Sequence, residues 1–394
     1  MFGSSINLRQ DAVMEKIAIV SRSFWPENPA IGEALLLLSE SLAKHAKPVV
    51  VTQVGKSFPG KLRAAKRGEG VKFTTLPSLT NSSSHMVLRV FELLLFTAFV
   101  FVSLCWHRPD KVYVATNPPI FTPLAVRWYC WLFGKKYVYH LQDIHPEATQ
   151  VVTGKTNWIE RLLARIDIKT TAKATTVITL TEQMKTYITQ RTGKQLPIVL
   201  LDNPSVQGAQ QETDIAVERR KGFVYCGNAG RLQRIPLLLA AIERYLSEGG
   251  QLPFVFAGGG IYTSAIEDLA SRFEQVNYLG VLPANKAAAL LRGYSFGLMP
   301  IDDEVTNYAF PSKSSSYVFS GCHVIAICGG NTSVTKWVVD NELGFVAKPD
   351  VDAVVSLFHK LEREAIPALN VDAELFEKLT PKAHAASLEQ ILKL

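Results

Sequence analysis

At 394 residues, with 47% hydrophobic positions, the chain is too long for one ordinary core and reads as two domains. A formal charge of +7, from 42 Lys and Arg against 35 Asp and Glu, suits phosphate-bearing ligands or anionic lipid. No nucleic-acid-reading motif is present, so no nucleic-acid partner is expected.

In chain order, residues 1–15 hold no continuous apolar stretch, which argues against a secretory leader and reads as a disordered or variable segment. From residue 16, short β-like runs alternate with amphipathic helical stretches. Lys16–Val20 is a strand, 32–44 a helix and 48–53 the next strand. Lys111–Ala115, Lys136–His140 and Thr176–Thr179 follow, each ahead of a helical stretch. A polar segment at 207–219 interrupts the pattern, and strands resume at 223–226, Phe254–Ala257, 296–299 and His323–Ile327. Such alternation predicts an α/β fold of two Rossmann-like halves with parallel sheets, 16–205 and 206–379. Their ligand belongs in the cleft at the carboxyl ends of the strands. The five cysteines, Cys105, Cys130, Cys226, Cys322 and Cys328, lie in or beside apolar runs without metal-like pairing, as reduced cytosolic thiols do.

The segment 86–106 reads MVLRVFELLLFTAFVFVSLCW, of which only 14 residues, 93–106, are free of charge. A bilayer span needs roughly 20, so a transmembrane helix is not expected. A buried core helix and a helix lying in the membrane interface are the two readings. Lys56, Lys61, Arg63, Lys66 and Arg67 crowd 55–70, and Arg127, Lys135 and Lys136 interleave with Trp128, Tyr129, Trp131 and Phe133. Basic residues beside aromatics favour contact with an anionic membrane surface.

Several stretches put polar or glycine residues where strands end. Gly32 opens a helix, either for close approach of a phosphate or sugar or as a simple cap. Gln142, Asp143, His145 and Glu147 suit acid/base work or hydroxyl binding; the alternative is a capping Asp143 and a structural His145. No metal-ligand spacing occurs there, and no metal is inferred. Gly227, Asn228 and Gly230 lead into Arg231, Gln233 and Arg234 at a helix start, forming either a diphosphate site or a solvent-facing turn. Glycines at 258–260 leave room for a ligand against bare backbone. In YAFPSKSSSYVFSG (308–321), capping explains the serines but not Lys313 beside them.

At these residues the sequence resembles retaining glycosyltransferases of the GT-B fold, family 4. More narrowly it is similar to bacterial O-antigen and capsule enzymes that transfer fucosamine-type N-acetyl amino sugars. The likeness runs from residue 16 to about 360. It rests on SFWPENPAIGEALLLLSESLAKH (23–45), VATNPP (114–119), QDIHPE (142–147), GNAGRLQ (227–233), VNYLGVLP (276–283) and FPSK (310–313). The resemblance implies a UDP-sugar co-substrate bound by the second domain, with no metal and no other cofactor. It also implies a polyprenyl-diphosphate-linked acceptor on the first domain, at the inner face of the cytoplasmic membrane. The segment 380–394 would cross back onto the first domain.

On this likeness Arg231 and Lys313 stabilise the leaving diphosphate. Attack comes from the same face, and the departing phosphate oxygen takes the acceptor proton, leaving Asp143 and His145 to orient the acceptor. Donor contacts fall on Gly32, Gly227, Asn228, Gly230, Gln233, Arg234, Gly258, Gly259, Leu279, Ser312, Ser315 and Ser316. Acceptor contacts fall on Asn117, Gln142 and Glu147. The family's two glutamates fall on Tyr308 and Ser316, its glycine after Gln233 is Arg234, which would add charge or obstruct the pocket, and Ile31 precedes Gly32 where two glycines are common. Competing readings are a UDP-sugar epimerase of the same fold and a non-catalytic, membrane-docked homologue.

Overall fold

The computed structural model describes residues 14–80, 85–154, 157–206 and 219–393. The segments at 1–15 and 207–219 fall almost wholly outside the described residues.

The first sheet has the strand order β3-β2-β1-β4-β5-β6-β7. In chain order these are β1 (Lys16–Val20), β2 (Lys47–Val54), β3 (Lys72–Pro77), β4 (Lys111–Ala115), β5 (Lys136–His140), β6 (Thr176–Thr179) and β7 (Ile198–Leu200). The second runs β10-β9-β8-β11-β12-β13. Its strands are β8 (Arg220–Cys226), β9 (Phe254–Ala257), β10 (Val276–Tyr278), β11 (Tyr294–Pro300), β12 (His323–Ile327) and β13 (Gly344–Ala347). Every pairing within both sheets is parallel. The pattern in the sequence does not single out β3, β7, β10 or β13.

Helices fill the crossovers. In the first half they are α1 (Ile31–Leu42), α2 (Phe58–Ala64), α3 (Met86–His107), α4 (Phe121–Phe133), α5 (Glu147–Thr153), α6 (Trp158–Thr171) and α7 (Glu182–Thr192). In the second they are α8 (Ile235–Ser247), α9 (Thr263–Arg272), α10 (Ala284–Arg292), α11 (Lys313–Phe319), α12 (Ser333–Asp340), α13 (Val351–Arg363) and α14 (Ala373–Lys378). The last helix, α15 (Pro381–Lys393), packs on α1 in the first domain, burying Leu388, Ile391 and Leu392 with Leu35 and Leu38.

Successive strand residues point to opposite faces. Ile17 and Ile19 of β1 therefore pack with α1, α2 and α15, whereas Ala18 and Val20 pack with α3 and α4. This separates two segments that the sequence groups together. The basic stretch 55–70 carries α2, whose Phe58 and Leu62 are buried on the α1 side, across the sheet from α3. Arg67 is not a free surface cation: its guanidinium grips Glu40 through two bonds of 2.8 and 2.9 Å and reaches Glu33 at 2.9 Å.

The helix α3 is longer than its uncharged run suggests. Among the described residues it is the one helix long and apolar enough to cross a membrane, over Val87–His107. It nevertheless lies along the sheet, with Phe96, Val100 and Leu104 in the core. Glu92, buried within this apolar helix, accepts from Arg22 (2.7 Å), from the Gln53 amide (2.8 Å) and from the Leu79 N–H (2.5 Å). Those bonds fix α3 to the strand ends of the first domain. Only 28% of its most apolar window is buried, so an apolar side faces outward.

Candidate functional site

The two sheets face each other with their carboxyl ends across a cleft. One cavity of about 460 Å³ lies mainly on the second domain, and one of about 470 Å³ mainly on the first. Ala30, Asp143, Phe310 and Ser312 line both, so the two form one continuous site. Its floor is an interdomain bridge. Asp143 pairs with Ala309 in antiparallel fashion, and the Ile144 N–H donates to the Tyr308 carbonyl at 2.7 Å.

On the second domain, the turn after β8 brings Cys226, Gly227 and Asn228 to the wall, and the start of α11 brings Ser312, Lys313 and Ser316. The Lys313 Nζ is buried, has no hydrogen-bond partner and sits 3.8 Å from the centre of the Tyr225 ring. Burial pulls its ammonium down to about 7. A buried cation without a counter-charge is costly, and a bound anion removes that cost. Gln233 lines the same cavity and accepts the Gly230 N–H at 3.1 Å, holding the turn in place. Ala284, Leu291 and Val305 give this half an apolar wall.

On the first domain, Asn117, Gln142, Asp143 and His145 line the other half. The Asp143 side chain opens onto the cleft, where the surrounding walls push its carboxyl up to about 6. Burial, with the charge of Arg191 nearby, lowers the His145 imidazole to about 4. That ring is neutral near pH 7 and can accept or donate a hydrogen bond without carrying charge. The Gln142 amide donates to Asn203 Oδ1 at 3.3 Å, tying the loop to the crossing between domains.

Other residues singled out in the sequence take different places. Glu147 turns away from both cavities: Arg191 Nε lies 2.8 Å away, and the Tyr187 hydroxyl donates to it at 3.1 Å. Arg191 also meets Asp167 at 2.7 Å and donates to the His145 carbonyl at 2.9 Å, so this network braces the loop that carries the site. Ser315 is buried and donates to the Asn203 carbonyl at 2.6 Å, an interdomain tie rather than a donor contact. Arg231 and Leu279 are exposed and line neither cavity, and neither does the buried Gly230. Arg234 adds no charge to the pocket and does not obstruct it. Its φ of +43° is the left-handed conformation that favours glycine, and its guanidinium is spent 3.3 Å from Asp302 and Asp303.

The glycines serve packing more than ligand approach. A Cβ on Gly32 would lie 2.5 Å from the backbone of Phe24 and Trp25, so this residue lets α1 meet the loop after β1. A Cβ on Gly258 would lie 2.0 Å from the Gly227 carbonyl oxygen, at a φ of +125°. The bare backbone at 258–260 therefore faces the backbone of 227–229, and neither Gly258 nor Gly259 lines the cleft.

Tyr225, Cys226, Ser23, Asn28, Thr116, Asn203 and Phe310 contribute to the site although no role was assigned to them in the sequence; Ser23, Asn28, Thr116 and Phe310 fall within stretches quoted there. Ser23, Thr116 and Asn203 lie within three residues of a strand end, the signal that marks them in this fold. Among the described residues no group of three or more His, Cys, Asp or Glu side chains is placed to hold a metal ion.

No family model matches the chain. A curated Pseudomonas aeruginosa protein named "Probable glycosyltransferase WbjE" is 21% identical over 257 residues, covering 62% of this chain. The match spans 64% of that relative's length, just under two thirds. Among solved structures, Anabaena HepE in complex with UDP aligns at TM-score 0.60 and 13% identity, over 96% of this chain and 95% of its own. Sucrose-phosphate synthase of Thermosynechococcus elongatus aligns at TM-score 0.60 and 14% identity, over 96% and 94%. The UDP-GlcNAc 2-epimerase of Methanocaldococcus jannaschii aligns at TM-score 0.57 and 10% identity, over 96% and 99%. At these identities the likeness shows the fold alone: two Rossmann-like domains in the GT-B arrangement.

Proposed function

We propose that the protein is a retaining glycosyltransferase that moves a sugar, of the N-acetylated amino sugar or deoxysugar class, from a UDP-sugar to a polyprenyl-diphosphate-linked glycan in bacterial surface polysaccharide synthesis. It works at the inner face of the cytoplasmic membrane. The observation that carries this reading is the unpartnered Lys313 ammonium in the second-domain half of a cleft whose opposite half holds Asp143. A diphosphate supplies the missing counter-charge, and its charge grows as the bond to the sugar breaks, so Lys313 stabilises the departing group more than the bound substrate. Ser316 lends a hydroxyl to the ribose where relatives carry a glutamate, and the apolar wall of Ala284, Leu291 and Val305 receives the base.

In this mechanism the departing phosphate oxygen takes the proton of the acceptor hydroxyl, so no dedicated base is required. Asp143 and neutral His145 orient that hydroxyl, and Asn117 and Gln142 hold its sugar.

The test is incubation with a panel of UDP-sugars, with and without a polyprenyl-diphosphate glycan. Release of UDP only when acceptor is present is the expected result, and Lys313→Ala lowers that release about tenfold or more. An epimerised sugar nucleotide formed without acceptor would assign the cleft to the epimerase reading instead. Nucleotide-sugar binding without turnover would assign it to a non-catalytic homologue.

A further inference from the structure

The face of the first domain formed by α3, α4 and α6 is rich in exposed aromatic and aliphatic side chains. Trp106 and Trp131 are each 81% exposed, and Phe91, Val102, Trp128 and Trp158 join them on the same three helices. Such a concentration of exposed apolar side chains marks a surface that meets something other than water.

Beside it, α4, α6 and the chain just after α7 enclose a groove of about 970 Å³. Its apolar lining includes Trp131, Leu132, Tyr137 and Ile168. Its charged lining is wholly basic: Arg127, Lys135, Lys169, Lys173 and Lys194, with no carboxylate. Lys135 is paired with Asp110 at 2.7 Å. Lys169, Lys173 and Lys194 are exposed and form no ion pair among the described residues.

We infer that this groove seats an anionic phospholipid of the bilayer, with an acyl chain along the apolar lining and the phosphate headgroup on Lys169, Lys173 and Lys194. The exposed tryptophans of α3 and α4 then lie at headgroup depth, where an aromatic ring with a polar edge is stable. The chemistry matches at both ends: an apolar trough for a tail and three free ammonium groups for a headgroup. The inference deepens the membrane-borne reading of the acceptor and rests on it for its purpose. It also moves the lipid-facing charge away from 55–70, which lies across the sheet beside α1.

The test is sedimentation of the full chain with vesicles, with neither donor nor acceptor present. The protein is expected to pellet with phosphatidylcholine vesicles containing phosphatidylglycerol and much less with phosphatidylcholine alone. The triple variant Lys169→Glu, Lys173→Glu, Lys194→Glu is expected to bind about tenfold more weakly or worse, with an unchanged melting temperature. The triple variant Lys56→Glu, Lys61→Glu, Lys66→Glu, on the other face, is expected to bind as the parent does. Trp131→Ala weakens binding without altering charge.

Four results would overturn the inference: no pelleting of the parent, equal pelleting with neutral vesicles, a larger loss from the 56–66 variant, or displacement by inorganic phosphate, which would make the groove a free-anion site. Sugar transfer to a detergent-solubilised acceptor stays at the parent level in the 169–194 variant. Failure of transfer in the parent with lipid binding intact therefore sinks the catalytic reading alone, and the reverse sinks only the lipid site.

Discussion

A lysine held near 7 makes ligand binding and proton uptake one event. In the free protein, burial lowers the Lys313 ammonium to about 7 from an ordinary value of 10.5, so above pH 7 most molecules carry it neutral. A diphosphate favours the charged form and raises that value again. Affinity is therefore full below about pH 7 and falls as pH rises above it, with up to one proton taken up on binding. UDP-N-acetylglucosamine is a suitable probe, because the diphosphate of a UDP-sugar has no titrating proton in this range. Calorimetry in buffers of different ionisation enthalpy should show that uptake at pH 8, and Lys313→Met should abolish it. A parent protein whose affinity is flat from pH 6 to pH 9 would remove Lys313 from the diphosphate.

At the scale of single residues, the sequence marked Lys313 through its chemistry, a cation among serines ahead of an apolar run. It gave no comparable sign of Tyr225, which looks like any strand residue until its ring is found beneath Nζ. Asp143 and Gln142 were legible because they follow a strand end; Glu147, two turns of logic away, was claimed by Arg191 from a distant helix.

Among elements, the turn 227–230 and the stretch 258–260 behave as one layer of backbone pressed on backbone. Gly258→Ala places a methyl carbon 2.0 Å from the Gly227 oxygen and strains a positive φ, whereas a Cβ on Gly259 comes no nearer than 3.5 Å to Val281. Gly258→Ala should cost a few kcal/mol, on the order of 2–3, seen as a drop in melting temperature and weaker UDP-sugar binding. Gly259→Ala should leave both near the parent values. Equal behaviour of the two variants would show that the layer is looser than its contacts indicate.

The strands that the sequence pattern revealed share a physical trait. Those read from the pattern, β1, β2, β4, β5, β6, β8, β9, β11 and β12, are all interior to their sheets, where both faces are covered and the strand is buried along most of its length. The four it left unmarked, β3, β7, β10 and β13, are the four sheet edges. An edge strand has one side without a partner and is short or mixed in polarity: β3 reads KFTTLP and β10 only VNY. The glycines misled for a related reason, since a sequence shows that backbone is bare but not what approaches it. The basic groove was legible only in part: Arg127 and Lys135 stand beside the α4 aromatics in sequence, whereas Lys169, Lys173 and Lys194 come from α6, the chain just after it and the chain after α7.

For the molecule as a whole, the joint between α15 and the first sheet carries a pH dependence of its own. His384 of α15 stacks on His140 of β5 with ring centroids 5.8 Å apart, and the Nε2 atoms of both are buried without partners. Burial lowers His384 to about 4 and His140 well below its ordinary 6.5. Both are neutral in the folded protein, and only the unfolded chain takes up their protons readily. Stability is thus full above about pH 6.5 and declines as pH falls toward 4, with His384 alone contributing about 3 kcal/mol over that window. Melting temperatures measured from pH 7.5 to pH 4.5 should fall more steeply in the parent than in His384→Phe. Parallel curves for the two proteins would refute this account of the joint.

The return of α15 also imposes an order in time. The Lys111 ammonium of β4 meets the Leu392 carbonyl 281 residues further along the chain, and α1 waits longer still for its cover of Leu388 and Ile391. On the ribosome, therefore, the domain that is made first is the one completed last. Until the second domain has been synthesised, the α1 side of the first sheet stays open, and the nascent chain displays there a greasy stripe suited to chaperone capture. A half that is whole in the finished molecule is an intermediate during its birth.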